Sequence, residues 1–400
     1  FPAVLALAAG LLWGRWPAGE TGVSRRGLAG LALGLAVAIL PVGIRNLRAG
    51  GGFRISTNGG INFFIGNNSR TDVTLATRPG LDWDRLERLP YLAGARSAAE
   101  ADRYFYREAF DWIRREPGAF LGNGLRKMRD FFQAREIPRN LDIETMRPYL
   151  PLGLRFLVGR WAGLYWPGGI LIPLGLVGGW VLARRGGTAR GLVLYGAIFA
   201  LTVILYFPAG RYRAPLWPLF ALGAAAAVDA AIRAWRAGAR GAVGVGFAAV
   251  LLLAVGVNVR WPHPTDAIRF DAELDRAVGA ALELRGASDA AERRYRRAAE
   301  ADPENADTRY HLGNLSRVRG RPDEAMAQYR AALQLRPDHD SARGNLGFLL
   351  YERGELGAAL AELELAVNLN PLNPYVHHNL GVVLKAVGRM GEAEIHFRKA

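Results

Sequence analysis

Residues 306–339 read ADTRYHLGNLSRVRGRPDEAMAQYRAALQLRPDH, and the same 34-residue spacing recurs on either side of them. Pro303, Pro337 and Pro371 fall at that interval, as do Gly279, Gly313, Gly347 and Gly381, then Gly286, Gly320, Gly354 and Gly388. Ala291, Ala325, Ala359 and Ala393 keep the period, and so do the large residues Tyr295, Tyr329, Leu363 and Phe397. A fixed period of this length marks a solenoid. Each unit predicts a helical hairpin in which small residues let two helices approach and a large one fills the gap. The proline then stops the second helix. The units fall at about 272–305, 306–339, 340–373 and 374–400. The first is degenerate and the last stops short of its proline, so the array is expected to continue.

The order Leu312-Gly313, Ala325, Tyr329, Ala332, Pro337 resembles the tetratricopeptide repeat. That resemblance implies a concave groove for an extended peptide or partner protein; a bare spacer is the alternative. No residue of the array points to chemistry, since the adjacent His377 and His378 cannot share one helix face as two ligands.

The chain before the repeats is built differently. Of 51 Lys+Arg and 36 Asp+Glu, residues 1–265 hold 32 and 15, a balance of +17. Residues 266–400 hold 19 and 21, a balance of −2. A domain boundary near residue 265 follows. Crossing roughly 30 Å of hydrocarbon takes about 20 mainly apolar residues. Runs of that kind occupy 27–44, 164–181, 191–207, 215–232 and 241–257, and 1–13 reads as the tail of another. Asp229 is the only acidic residue within them. Phe1 falls inside an apolar run, as expected of a segment from a longer chain.

Orientation follows from short loops, where Lys and Arg mark the cytoplasmic side. Arg15, Arg25 and Arg26, then Arg184, Arg185 and Arg190, then Arg233, Arg236 and Arg240 alternate correctly for one side. The loop 45–161, the turn 207–213 and everything after Val257 then lie outside. The expected location is a multi-pass integral membrane protein of a bacterial inner membrane, with periplasmic repeats. Zero cysteine excludes disulfides, thiol nucleophiles and Cys-ligated metals. The basic balance is explained by span flanks and lipid phosphates, and no nucleic-acid module is present.

The outer loop runs Arg45-Asn46 at the membrane exit, then Ser56-Thr57-Asn58-Gly59-Gly60-Ile61-Asn62-Phe63-Phe64-Ile65-Gly66-Asn67-Asn68. Asn-Gly-Gly predicts a tight turn and the alternation Ile61–Ile65 a short strand. Asn side chains and Gly-exposed amides offer neutral hydrogen bonds to sugar hydroxyls or phosphate oxygens, although any turn has this composition. A helix is expected from Ser97, with Glu100 closing a capping box. Pro117 opens another, whose Leu121, Leu125, Met128, Phe131 and Phe132 alternate with Arg126, Lys127 and Arg129, a pattern suited to the bilayer surface or to packing on the loop. Arg211 and Arg213 stand at the outer end of a span, placed to snorkel or to grip a phosphate.

An apolar span, Arg45-Asn46, and then the Asn58–Asn68 string together resemble polytopic GT-C glycosyltransferases of the family 39, protein O-mannosyltransferase-like class. The Tyr104–Glu116 helix, Glu136-Ile137-Pro138-Arg139-Asn140 and Arg211-Tyr212-Arg213 with Pro215 fit the resemblance, which covers roughly 1–260. The expected fold is all-α: a polytopic membrane helix bundle, then a tetratricopeptide α-solenoid, with a small β element in the outer loop. The resemblance implies sugar transfer from a polyprenyl-phosphate donor to an acceptor on the outer face. It implies Arg45, Arg211 and Arg213 at the donor phosphate, and Asn46, Asn58, Gly59, Gly60, Asn62, Asn67 and Asn68 along the sugar or lipid head. No catalytic base can be named, because that class carries its acidic residues in a first outer loop absent here. No cofactor is evident, and a divalent metal stays open. The competing readings are a non-enzymatic scaffold displaying repeats, and an O-antigen ligase or polymerase, against which the Asn-Gly-Gly string argues.

Overall fold

The computed structural model describes residues 40–41, 44–45, 47–48 and 58–400, except 79, 139–141, 156–158 and 162. The expected spans at 1–13 and 27–44 therefore lie almost wholly outside the described residues. The chain divides into two compact units, Phe1–Ile268 and Arg269–Ala400.

In the first unit, Gly59–Gly66 forms a helix, α1, rather than the expected turn and strand. A short apolar run has no period that separates strand from buried helix. Close approach decides it. A Cβ on Gly60 would lie 2.1 Å from the Asp102 carbonyl, and one on Gly66 only 1.7 Å from that of Tyr206. Helices α2 (Thr71–Leu75), α3 (Leu81–Leu92), α4 (Ala98–Arg115) and α5 (Pro117–Phe132) follow. Ser97 caps α4 by accepting from the Glu100 amide, while the Glu100 carboxylate reaches the Arg96 amide, one residue short of a full capping box. The small β element lies later than Ile61–Ile65: β1 (Gly159–Trp161) pairs antiparallel with β2 (Leu164–Trp166).

Helices α6 (Gly168–Arg185), α7 (Gly187–Tyr206), α8 (Trp217–Arg236) and α9 (Arg240–Asn258) complete the unit. Among the described residues, three stretches are long and apolar enough to cross a membrane: Ala189–Tyr206, Ala214–Arg236 and Arg240–Asn258. The run expected from 164 starts instead as β2, and glycine-rich α6 is not among the three. Its glycines serve packing. A Cβ on Gly178 would sit 1.7 Å from the Gly223 carbonyl of α8, and one on Gly175 2.8 Å from Phe220. Outward faces carry exposed Trp180, Val245, Phe247 and Leu252, apolar surface that suits membrane association.

The second unit is four helical hairpins: α10 (Phe270–Leu284) with α11 (Ser288–Ala301), α12 (Ala306–Val318) with α13 (Pro322–Leu335), α14 (Asp340–Glu352) with α15 (Leu356–Leu369), and α16 (Pro374–Ala386) with α17 (Met390–Lys399). The periodic residues meet. Gly279, Gly313, Gly347 and Gly381 face Tyr295, Tyr329, Leu363 and Phe397, each so closely that a Cβ would stand 2.6–2.8 Å from the ring or branch. Gly320 and Gly354 take φ of 69° and 81°, the left-handed turn that ends a first helix.

The α6–α8 seam predicts a sharp positional contrast. Gly178→Leu must push the helices apart and should cost about 1–3 kcal/mol or more, read as a lowered Tm in detergent. Gly179 has nothing within 4 Å of its would-be Cβ, so Gly179→Leu should stay within about 0.5 kcal/mol of the parent. Equal losses at both positions would contradict the seam.

Candidate functional site

The Asn string closes α1 and is tied to helices far along the chain. Asn67 is fully buried, and its Nδ2 donates to the carbonyls of Phe63 and Leu205, both at 2.8 Å. Its Oδ1 accepts from Lys127 Nζ at 2.9 Å. That ammonium, 2 % exposed, also lies 3.2 Å from the Gly66 carbonyl and 3.2 and 3.3 Å from those of Leu205 and Tyr206. Asn123, one turn earlier on α5, donates to the Gly66 carbonyl at 2.7 Å. Asn68 is buried as well, donating to the Phe64 carbonyl at 2.6 Å and to Thr74 Oγ1 at 3.0 Å while accepting from the Arg70 amide. Both side chains are therefore engaged by the protein itself. Burial, and then the neighbouring Arg126, lower the Lys127 pKa to about 8.

The other residues implied by the resemblance scatter. Asn58 is exposed at the start of α1, beside a small cleft that includes Glu87, Tyr91 and Asp102. Gly59 and Gly60 face α4, where the Gly60 amide donates to Asp102 Oδ1 at 2.5 Å. Asn62 is half-buried on α1, Arg45 is exposed, and Asn46 lies outside the described residues. Arg211 stands in the helical turn Gly210–Arg213. Arg213 is 2 % exposed. Its Nη1 donates to the carbonyls of Phe131 (3.1 Å) and Gln133, and its Nη2 to that of Arg135 at 3.0 Å while pairing with Glu136 at 3.2 Å. Those donors clamp the chain leaving α5.

A polar cavity of about 180 Å³ opens next to that clamp, among Arg135, Glu136, Asp142, Glu144, Tyr165, Trp166 and Arg260. Its walls are fixed from α9. Asn258 accepts from the Tyr165 amide at 2.8 Å and donates to the Gly169 carbonyl at 3.1 Å, and the Ala134 amide donates to the Val257 carbonyl at 2.7 Å. Arg135 pairs with Asp266 at 2.5 Å, yet its buried Nη1 has no hydrogen-bond partner among the described residues. Behind it, His263 Nδ1 lies 2.8 Å from Thr265 Oγ1; burial lowers its pKa, only partly opposed by Asp130 and Asp266. The sequence flagged only Glu136 in this cluster. Its other residues come from segments with no shared motif. One signal existed for Lys127: it is one of three lysines beside 48 arginines.

In the repeats, Asn314 and Asn345 of two successive first helices meet a tyrosine of the second helix between them. Tyr329 Oη donates to Asn314 Oδ1 at 2.7 Å, and Asn345 Nδ2 reaches the same oxygen at 2.8 Å. Burial raises the Tyr329 pKa to about 12. His311 stacks on Tyr295 with ring centres 5.2 Å apart, and burial lowers its pKa to about 4. His377 is buried against His396, while His378 is exposed beside Phe397. Among the described residues no group of three or more His, Asp or Glu is arranged to hold a metal.

Lys127 supplies a test with a defined sign. Its folded pKa of about 8 lies below the ordinary 10.5, so between those values the unfolded chain binds more protons and stability from this group rises with pH. Below pH 8 both states are protonated and the gain is absent. Lys127→Met takes the ammonium from Asn67 Oδ1 and the Tyr206 carbonyl, whereas the Gly66 and Leu205 carbonyls keep Asn123 and Asn67, and it should cost about 2–4 kcal/mol near neutral pH, at about 1–3 kcal/mol per unsatisfied group. It should also remove the rise, read by thermal unfolding from pH 7.5 to 10.5. A parent and variant with parallel pH profiles would contradict the assignment.

Two family models, each described as tetratricopeptide repeat, match residues 280–340 and 318–381. No curated protein matches the chain. Similar solved structures include MamA, 26 % identical over 32 % of this chain and 70 % of that one with a TM-score of 0.29. Another is the first TPR domain of Spaghetti (RPAP3) bound to an HSP90 peptide, 20 % identical over 29 % and 93 % with a TM-score of 0.28. A third is PilF of Pseudomonas aeruginosa, 18 % identical over 44 % and 73 % with a TM-score of 0.30. The family matches and the four hairpins together identify the C-terminal part of the chain as tetratricopeptide repeats.

Proposed function

We propose that the chain is a membrane glycosyltransferase that moves a sugar from a polyprenyl-phosphate donor to an acceptor on the outer, periplasmic face, with its repeats recruiting the acceptor or a partner protein. Tetratricopeptide repeats are protein-interaction modules, and the three apolar helices are compatible with membrane association. The observation that carries the transferase reading is a polar cavity of about 180 Å³ lined by two guanidinium residues, Arg135 and Arg260, together with Glu136, Asp142, Glu144, Tyr165 and Trp166.

Each part has a use in that chemistry. Guanidiniums neutralise a departing phosphate. A carboxylate among Glu136, Asp142 and Glu144 takes the proton of an acceptor hydroxyl as the sugar transfers. Aromatic faces pack against the apolar side of a sugar ring. Arg45 and Arg211 are the further donor-phosphate cations of this reading. In the repeats, Asn314 and Asn345 offer amide groups to the backbone of an extended segment.

A second reading, the non-enzymatic scaffold, is favoured by a different observation: Asn67 and Asn68 are consumed by the fold, which leaves less of the string for a donor. One assay separates the two. The protein in lipid nanodiscs should transfer sugar from at least one of a panel of polyprenyl-phosphate hexoses. Arg135→Ala should lower turnover at least tenfold, and Arg135→Lys should recover part of it. An unchanged rate in Arg135→Ala dismisses the cavity, and absence of transfer across the panel favours the scaffold.

A further inference from the structure

As far as Met128 helix α5 is inside out, and only its last turn sends an aromatic, Phe131, into the core. Its side chains Asn123, Lys127 and Asp130 are buried, whereas Leu121 is 66 % exposed, Leu125 64 % and Met128 44 %. At 100° per residue the two sets lie on opposite sides of one helix. A surface helix in water turns its apolar stripe inward and its charges outward. Here the polar side is held by protein oxygens: Asn123 and Lys127 reach the carbonyls of Gly66, Leu205 and Tyr206. The leucines and the methionine are left facing away from the unit, and in water such an arrangement forfeits the free energy that burying large apolar side chains would gain.

The surroundings of α5 say what covers this face. The helix packs on the end of α7, the element that contains the candidate span Ala189–Tyr206. That span shows its own exposed Leu194, Leu201 and Leu205. Two helices in contact thus each leave large apolar side chains exposed, a surface that suits hydrocarbon. At the helix entrance Arg114 and Arg115 are exposed, as cations facing lipid phosphates would be.

We infer that α5 lies in the outer boundary of the bilayer, with Leu121, Leu125 and Met128 among the acyl chains and its polar face closing the loop onto the membrane helices. Hydrocarbon removes the cost of the exposed stripe. The loop is thereby fastened to the lipid at a point separate from the spans, independently of any transferase activity.

Because the chain has no cysteine, single thiols report without background. Leu121→Cys and Leu125→Cys, each carrying an environment-sensitive fluorophore, would be compared in phospholipid nanodiscs with Asp323→Cys on an exposed side of the repeats. Quenching by lipid-borne doxyl groups should be at least threefold stronger at 121 and 125 than at 323, and quenching by aqueous iodide at least threefold weaker. Met128→Cys repeats the measurement if either leucine variant fails to fold. Iodide access equal to that at 323 would overturn the inference, and so would insensitivity to both quenchers, which would mean that protein covers the face.

Discussion

One buried ammonium joins three helices of the first unit, α1, α5 and α7. The three N–H bonds of Lys127 are shared among four oxygens, from Asn67 and from the carbonyls of Gly66, Leu205 and Tyr206. Those oxygens belong to the end of α1 and the end of α7, elements about 140 residues apart in sequence. Glycine makes the meeting possible, since Gly66 has no side chain to strike the Tyr206 carbonyl. Burying a cation is costly unless its donors are satisfied. The carbonyls at the C-terminal end of α7 have no helical partners of their own, so cation and helix end satisfy one another. The position of α5, the burial of the Asn string and the reversed polarity of α5 all follow from that contact.

The repeat unit rests on a different constraint. Its hairpins close where a glycine on one helix admits the ring or branch of the next, and the same pairing recurs four times. Each contact is local, so each hairpin can be read from its own 34 residues. This is why the period, the hairpin ends and the role of the large residues were legible in sequence. The string Asn58–Asn68 was not. Its alternation of Ile61, Phe63 and Ile65 describes a strand equally well, and what makes it a helix is contact with Asp102 and Tyr206, which no local pattern reports. Arg213 shows the same limit. Its place after a span was readable, but its inward turn depends on carbonyls about eighty residues earlier in the chain. The polar cavity, assembled from residues 134–136, Asp142, Glu144, Gly159, residues 165–168 and Arg260, had only the Glu136 segment as a sequence marker.

The functional account divides along the same line. Repeat identity rests on local contacts and family matches, whereas the transferase proposal rests on a motif resemblance and a cavity. The motif and the cavity are not the same residues. Asn67 and Asn68, which the resemblance would set along a sugar, instead build the platform that joins the end of α1 to α2, α5 and α7. That platform positions the segment leaving α5, and the segment supplies Arg135 and Glu136 to the cavity. The string would then serve the chemistry by placing it.

The claim that Lys127 and Asn67 act as one structural unit is tested most directly by a double-mutant cycle. Lys127→Met, Asn67→Leu and the combined variant would be compared with the parent by thermal unfolding in lipid nanodiscs at pH 7.5. Residues sharing a buried network give non-additive losses, with coupling of about 0.5–3 kcal/mol. The account predicts that the second substitution costs little once the first is made, with coupling above about 1 kcal/mol. Losses that simply add would contradict it.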